Sequence, residues 1–397
     1  MAAYTGWGSF GQELFQGTWE KPIYKDGWKE ENDWLRDTLG KDAWEEAQNS
    51  IINAHYTDPY TINSMWEMAK NMGFKGGKVL EPSMGVGNFF GLMPKGIAEK
   101  SQLTGIELDR TTGRMAQALY PQANIQLKGY EESRTPDNFY DMIIGNVPFG
   151  NFNIADRRYG KLKPLIHDFF FLKGIDQLKP GGIMMAITTK GTLDKADARV
   201  RMELAKKADL VAAYRLPTGA FDKYAGTNVV TDILIFKKLD KPRTGVRELE
   251  WVNSSKYQTT FRGQQETYYY NDYFKNHPEN VLGIMEFGHG TTTGRPGLTV
   301  KRLDDFGERL KEIPNEVPKN IFEADKAQDN IQYISNHKGG EQGSVTTENG
   351  KLYTVYGDQL KPLADTKKYS VKSDKQTAQR IQEINDWIKL RDTLGAL

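Results

Sequence analysis

Cysteine is absent from the 397-residue chain. Its absence excludes disulfides, thiolate zinc sites and every mechanism that begins with a cysteine nucleophile, cytosine-C5 methylation among them. Long apolar runs are missing as well. None approaches the roughly 20 residues of a membrane-spanning helix, and the opening MAAYTGWGSF lacks the basic and apolar regions of a signal peptide. A cytoplasmic protein is the expectation. Neither sign of charge is in excess, 53 Lys and Arg against 52 Asp and Glu, so there is no global field for nucleic acid. Any DNA contact must come from a local basic patch. No phosphate-binding GxxxxGK[ST] occurs, which argues against ATP-driven helicase activity in these residues.

What is present suffices for a core of ordinary size. With 38% hydrophobic and 26% charged residues the chain reads as one main domain with additions. The most informative stretch is GGKVLEPSMGVGN, Gly76 to Asn88, answered by IIGNVPFG from Ile143 to Gly150. Val79 and Leu80 read as the end of a buried strand and Pro82 breaks it. Gly85 and Gly87 let a loop pass close to a ligand before Phe89 and Phe90 open a helix. The spacing Gly85, Gly87, Gly91 is one residue too long for the dinucleotide fingerprint, and Glu81 at the strand end would repel a pyrophosphate. A cofactor with a cationic group suits the loop better.

About twenty residues beyond Gly87, the apolar stretch Leu103 to Ile106 delivers Glu107, whose carboxylate can accept both hydroxyls of a ribose. A nucleoside carrying a positive charge suggests S-adenosylmethionine, since its sulfonium and amino groups favour a carboxylate-lined pocket.

At this point the residues resemble the adenine-N6 DNA methyltransferases. The cofactor loop of that family has the form seen in EPSMGVGNF, covering Glu81, Pro82, Ser83, Gly85 and Gly87, and its catalytic loop is Asn-Pro-Pro-Phe. Here the second motif is Asn146, Val147, Pro148 and Phe149, with Val147 in place of the first proline. The resemblance implies a Tyr-Thr-Pro motif that reaches the methionine end of the cofactor; Tyr56 and Thr57 match it and Asp58 does not. It also implies that Tyr130 and Glu131, after the third strand, touch the cofactor's adenine, although a plain surface turn suits Glu131 as well.

The chemistry asked of the catalytic loop is specific. An exocyclic adenine amino group is a poor nucleophile because its lone pair is delocalised into the ring. Two acceptors that bind its hydrogens favour a pyramidal nitrogen and aim the lone pair at the sulfonium methyl. The side-chain oxygen of Asn146 and the backbone carbonyl of Val147 can supply them, in a pre-oriented displacement worth on the order of 7–11 kcal/mol in ideal cases. Phe149 would stack on the base once it has left the duplex. Proline's fixed backbone angle is lost at Val147, so an inactive methyltransferase that keeps the fold as a scaffold is the competing reading.

Taken in order, residues Met1 to Glu30 are an aromatic and glycine-containing arm with Trp7, Phe10, Phe15, Trp19 and Trp28 that must pack onto something. Glu31 to Asn53 reads as helix. Thr57 or Asp58 caps a second helix with Pro59 in its first turn and Ile62, Met65, Trp66 and Ala69 facing the core. From Gly76 to Lys238 strands alternate with helices: 78–81, 103–107, 124–127, 141–145, 182–188, 210–216 and 230–236. The last two are joined across TGAFDKYAGTN without an obvious crossover helix, so they are expected to be antiparallel. A seven-stranded, Rossmann-like α/β sheet with a reversed last hairpin is the fold the resemblance implies. Asp109 reads as a helix cap. Arg157, Arg158, Lys161 and Lys163 form a basic cluster suited to phosphate contacts, with Tyr159 as a further stacking surface. His167 and Asp168 precede an apolar helix over Phe169 to Leu178.

Beyond Lys241 the alternation fades. The segment ETYYYNDYFKNHPENVLG is rich in aromatics and turns, Phe287 to Gly297 reads as a loop, 351–369 as short strands, and 374–394 as an amphipathic helix with Ile381, Ile384, Trp387 and Ile388 on one face. The expected organisation is an N-terminal arm and helical segment (1–75), a methyltransferase domain (76–240) and a C-terminal extension (241–397) contacting DNA or a partner. YTGWGSFGQELF and NAHYTDP add a resemblance to the methylase-like portion of the large DarB-like antirestriction proteins of phages and mobile elements, which fuse a methyltransferase to a helicase. That leaves open a stand-alone relative or the amino-terminal piece of a longer polypeptide, with a helicase or specificity module on the same chain or a separate subunit. Three activities stay in view: adenine-N6 methylation of DNA, an antirestriction scaffold without turnover, and methylation of RNA or of a protein glutamine.

Overall fold

The computed structural model describes residues 11–53, 57–133, 135–220, 229–289, 296–324, 334–335, 344–348, 351–356, 359–362 and 386. Two compact units are present, one formed by 1–133 with 137–326 and the other by 134–136 with 327–397. No helix among the described residues is long and apolar enough to cross a membrane.

In the first unit, Phe15 of the N-terminal arm packs against Trp44, ring centroids 5.5 Å apart, and Arg36 lies over the Trp19 ring. Together with Leu14, Leu35 and Ala47 these make a small separate core on helix α1, Lys29–Asn53. The arm therefore packs as its composition demands; Trp7 and Phe10 lie outside the described residues. Gly40, at φ 73°, interrupts α1, and Trp34 points outward at 66% exposure. Helix α2, Pro59–Asn71, starts where Asp58 accepts from the amides of Tyr60 and Thr61, and buries Ile62, Met65, Trp66 and Ala69. Asp58→Ala should lower stability by about 1 kcal/mol, read from denaturant unfolding.

The centre is a seven-stranded sheet. Its strands are β1 (Lys78–Glu81), β2 (Gln102–Glu107), β3 (Asn124–Leu127), β4 (Tyr140–Asn146), β5 (Leu178–Thr189), β6 (Ala208–Arg215) and β7 (Thr231–Lys238). They lie in the order β3-β2-β1-β4-β5-β7-β6. The pairs from β3 to β5 are parallel, whereas β7 runs antiparallel to both β5 and β6. The inner strands are apolar runs, as burial on both faces requires: every residue of β4 up to Gly145 is buried. Around the sheet lie α3 (Asn88–Gly91), α4 (Arg110–Leu119), α5 (Ile166–Gln177) and α6 (Arg199–Lys207). Asp109 caps α4 by accepting from the amides of Thr111 and Thr112. The reversal at β1, between β2 on one side and β4 on the other, is the switch point at whose strand ends ligands bind.

Three expectations need correction. Helix α5 begins at Ile166, so His167 and Asp168 sit buried in its first turn and do not precede it. Strand β5 starts at Leu178, with the 179–181 Lys-Pro-Gly inside an irregular stretch of the ladder to β4. Beyond Lys241, Ser254–Phe261 and Gln264–Asn271 form a hairpin whose second strand takes in the start of the aromatic-rich segment, with Tyr257 stacked on Tyr268 at 5.4 Å. A second hairpin joins Ile284–His289 to Pro296–Lys301, so strand occupies part of the stretch read as a loop at Phe287 to Gly297. The segment joining β6 to β7 at 221–228 lies outside the described residues.

The second unit holds a four-stranded antiparallel sheet in the order Ile334–Ser335, Gln359–Pro362, Lys351–Tyr356, Val345–Glu348, with Tyr353, Val355 and Leu360 buried. Strands within 351–362 agree with the sequence reading. All but Asp386 of the helix expected over 374–394 lies outside the described residues.

Candidate functional site

A cavity of about 540 Å³ opens at the carboxyl ends of β1, β2 and β4. That is within the roughly 300–1,000 Å³ of small-molecule sites. The carboxyl ends of three adjacent parallel strands bring Glu81, Glu107 and Asn146 to it, Glu81 paired with Gly105 of β2 and Glu107 two residues further on. The loop after β1 is shaped by Gly87, at φ 84°, where a Cβ would come within 2.5 Å of the Tyr120 ring. Met84 closes the turn, its carbonyl accepting from the Gly87 amide at 2.8 Å.

Two carboxyls define the electrostatics. Glu107 accepts from the Gly85 amide through Oε2 at 2.6 Å and from the Asp109 amide through Oε1 at 2.8 Å. Burial nevertheless pushes its carboxyl up to about 7, against the pull of those amides. Glu81 is 2% exposed and its Oε2 has no hydrogen-bond partner. Burial, and then the charge of Glu107, raises it well above the usual carboxylate range. Asp109, Lys128 and Glu131 complete the charged lining.

At the opposite wall Asn146 donates from Nδ2 to the Thr57 hydroxyl at 3.1 Å, and Thr57 is buried. Val147 is buried, and its amide donates to the Ile187 carbonyl of β5 at 3.1 Å. A proline at this position has no such donor, so valine holds its carbonyl by a ladder hydrogen bond where proline would hold it by its ring. Pro148 follows in the lining.

Of the residues expected at the cofactor and the acceptor, Thr57, Glu81, Pro82, Ser83, Gly85, Glu107, Tyr130, Glu131, Asn146, Val147 and Pro148 border this one cavity. Tyr56 lies outside the described residues. Gly87 and Phe149 are not in the lining. An apolar wall of Phe152, Ile154, Ile166 and Phe170 escaped sequence reading. Phe152 is 46% exposed, and Gly150 leaves the space its ring occupies, since a Cβ there would sit 2.4 Å from it. The signal was available in an aromatic residue two positions past a glycine.

Tyr130 is a wall and not a free face: its ring packs on Phe170 at 4.7 Å and its hydroxyl donates to Gln177 at 2.6 Å. Beneath it Lys173 donates to the carbonyls of Tyr130 at 2.5 Å and Ser133 at 2.9 Å, fixing the turn after β3 from below.

The basic cluster lies off the cavity. Arg158 makes a bidentate pair with Asp137 at 2.8 and 2.9 Å and reaches Asp176 at 2.8 Å, while Arg157, Lys161 and Lys163 are exposed. Tyr159 is not a stacking surface: it is buried, its hydroxyl donating to Asp176 at 2.8 Å and its ring edge-on to Phe169.

The residues fit S-adenosylmethionine. A buried carboxyl without a hydrogen-bond partner suits a cationic group, a second carboxyl at the end of β2 suits ribose hydroxyls, and the apolar wall suits a flat ring. No family model matches the chain. In sequence it is 33% identical over 193 residues to the Defense against restriction protein B of Escherichia phage P1, a match covering 47% of this chain and 8% of that protein. Among solved structures, it is similar to the methyltransferase subunit of a type I restriction-modification system from Streptococcus thermophilus, at 14% identity and TM-score 0.44, covering 69% of this chain and 57% of that one. It is similar also to the M protein of the type I restriction enzyme EcoKI, at 19% identity and TM-score 0.35, covering 53% and 55%. With its strand order and its antiparallel β7, the first unit has the class I S-adenosylmethionine-dependent methyltransferase fold, and the chain is similar to a phage antirestriction protein over about half its length.

Proposed function

We propose that this protein is an S-adenosylmethionine-dependent methyltransferase acting on the N6 amino group of adenine in DNA. The observation that carries the reading is the convergence of Glu81, Glu107 and Asn146 on one cavity at the strand ends. When bound, the cofactor supplies an electrophilic methyl group. The chain's own residues orient what meets it. Glu107 receives the ribose hydroxyls on lone pairs not taken by the Gly85 and Asp109 amides. The Asn146 side-chain oxygen and the Val147 carbonyl accept the two amino hydrogens of the adenine, which keeps the nitrogen lone pair directed at the methyl. Thr57 holds the Asn146 amide. The aromatic platform for the flipped base is Phe152, which borders the cavity, in preference to Phe149, which does not.

Arg157, Lys161 and Lys163 would supply phosphate contacts. DNA specificity would be completed by a helicase or recognition module, on the same polypeptide or another. The test is methyl transfer from labelled cofactor to DNA, RNA and protein acceptors, with digestion of the product to nucleosides. Label in N6-methyl-2′-deoxyadenosine from DNA is the expected result; label confined to RNA or protein, or in no acceptor, overturns the reading.

Valine at position 147 is compatible with this chemistry. Val147→Pro restores the family's usual residue but removes the hydrogen bond to Ile187. The expected outcome is a loss of about 1 kcal/mol in unfolding free energy with no gain in turnover, measured by denaturant titration and by initial rate.

A further inference from the structure

We propose that Glu81 carries a proton in the cofactor-free protein and releases it when the methyl donor binds, so that the site tells donor from demethylated product by charge. This rests on the cofactor reading above. Glu81 and Glu107 end neighbouring parallel strands in one cavity, and their hydrogen bonding differs. Glu107 is served by two backbone amides, which favour its charged form, whereas Glu81 has a buried oxygen with no partner. Two carboxylates lining one cavity, Glu81 buried and Glu107 half-buried, do not both ionise readily, and the one without donors keeps the proton.

The surroundings do not neutralise Glu81. Around the cavity stand Glu107 from β2, Asp109 at the start of α4, and Lys128 and Glu131 after β3, four carboxyls with Glu81 itself against one lysine among the described lining residues. Lys128 is tied to the end of β2 through its amide, which donates to the Glu107 carbonyl at 2.9 Å. The Tyr120 hydroxyl donates to the Gly87 carbonyl at 2.8 Å, and burial pushes its ionisation upward, so it adds no charge beside Glu81. From α2 and α5 only uncharged residues, Ile62, Ile166 and Phe170, reach the cavity.

S-adenosylmethionine carries one more positive charge than S-adenosylhomocysteine, at the sulfonium. Its arrival favours ionised Glu81: the O–H bond breaks, the electron pair stays on the carboxylate and the proton leaves to buffer. In methyl transfer the nitrogen–methyl bond forms as the sulfur–methyl bond breaks, the amino nitrogen sheds one proton, and with the sulfonium charge gone Glu81 takes up a proton, so the neutral product is no longer held by an opposite charge. Exchange of product for donor is thereby driven by the same carboxyl that admits the donor.

The measurement is calorimetric titration of the intact protein with each ligand in buffers of different ionisation enthalpy. The expected result is about one more proton released on binding S-adenosylmethionine than S-adenosylhomocysteine, and a donor affinity that rises by up to about tenfold per pH unit while the product's stays flat. In Glu81→Gln the difference in proton release should vanish, and the loss of donor affinity should grow with pH. Equal proton counts for the two ligands in the unmodified protein overturn the proposal while leaving cofactor binding intact. So does a difference that persists in Glu81→Gln but disappears in Glu107→Gln. If neither ligand binds, the cofactor reading fails and this one with it.

Discussion

Asn146→Ala should leave the protein folded and able to bind S-adenosylmethionine while lowering methyl transfer to DNA by about 10³-fold, the scale on which one pre-organised polar group at a reacting centre acts. The residue sits at the last position of β4, in register with Ile187 of β5, so the backbone that carries it does not depend on the side chain. Its amide nitrogen donates to the Thr57 hydroxyl, and its side chain borders the cavity. Truncation therefore removes an acceptor for the adenine amino hydrogens without moving the strand. The loss should fall on kcat, since the amino nitrogen needs its geometry in the transition state more than in the bound state. Asn146→Asp separates hydrogen bonding from geometry: the carboxylate keeps two acceptor oxygens but cannot donate to Thr57, so partial activity is expected. A rise in KM for DNA with kcat unchanged, or full turnover in Asn146→Ala, would show that the amide does not act in the transition state.

The sheet was legible because its signals are local and redundant. Strands β1, β2 and β4 each end a largely apolar stretch with a residue of different character, Glu81, Glu107 and Asn146, and buried parallel strands favour that composition. The same closing residues marked the site, since strand ends in parallel sheets meet on one side. What stayed hidden depended on contacts made far along the chain. The wall formed by Ile166 and Phe170 comes from a helix whose start the sequence placed three residues late, because nothing caps it: Leu165 precedes it with no side-chain hydrogen bond. Tyr159 looked like an exposed aromatic among basic residues, yet Asp176, seventeen positions on, takes its hydroxyl. Arg158 looked free for phosphate until Asp137 and Asp176 claimed it. The hairpin of 254–271 was obscured by its tyrosines, which alternate between the two faces of a ribbon and give no turn-free apolar run.

Arg215→Met should destabilise the first unit by about 3–5 kcal/mol, the cost of leaving partners of a buried ion pair unopposed. Arg215 closes β6 opposite Asp232 of β7, fully buried. Its guanidinium makes two bonds to Asp232, at 2.8 and 2.9 Å, and two to Asp194, at 2.9 and 3.0 Å, with the Phe274 ring 4.2 Å from its centre. Burial alone would weaken the positive charge, but the two aspartates outweigh it and hold the guanidinium firmly protonated. Asp194 also accepts from the Asn271 amide at 3.1 Å, so the network ties the reversed edge of the sheet to the hairpin that follows it. Methionine fills much of the volume but strands two carboxylates in the interior. The expected signature is a lowered unfolding midpoint at neutral pH that recovers in part on acidification, as Asp232, whose carboxyl burial already raises, takes up a proton. Asp194→Asn with Asp232→Asn in the Arg215→Met background should restore part of the loss at neutral pH, because it removes the stranded charges. By contrast, Lys29→Ala breaks an exposed pair with Asp33 and should leave the midpoint unchanged. Equal midpoints for Arg215→Met and the unmodified protein would mean that the packing of β6 on β7, and not this charge cluster, holds the edge of the sheet.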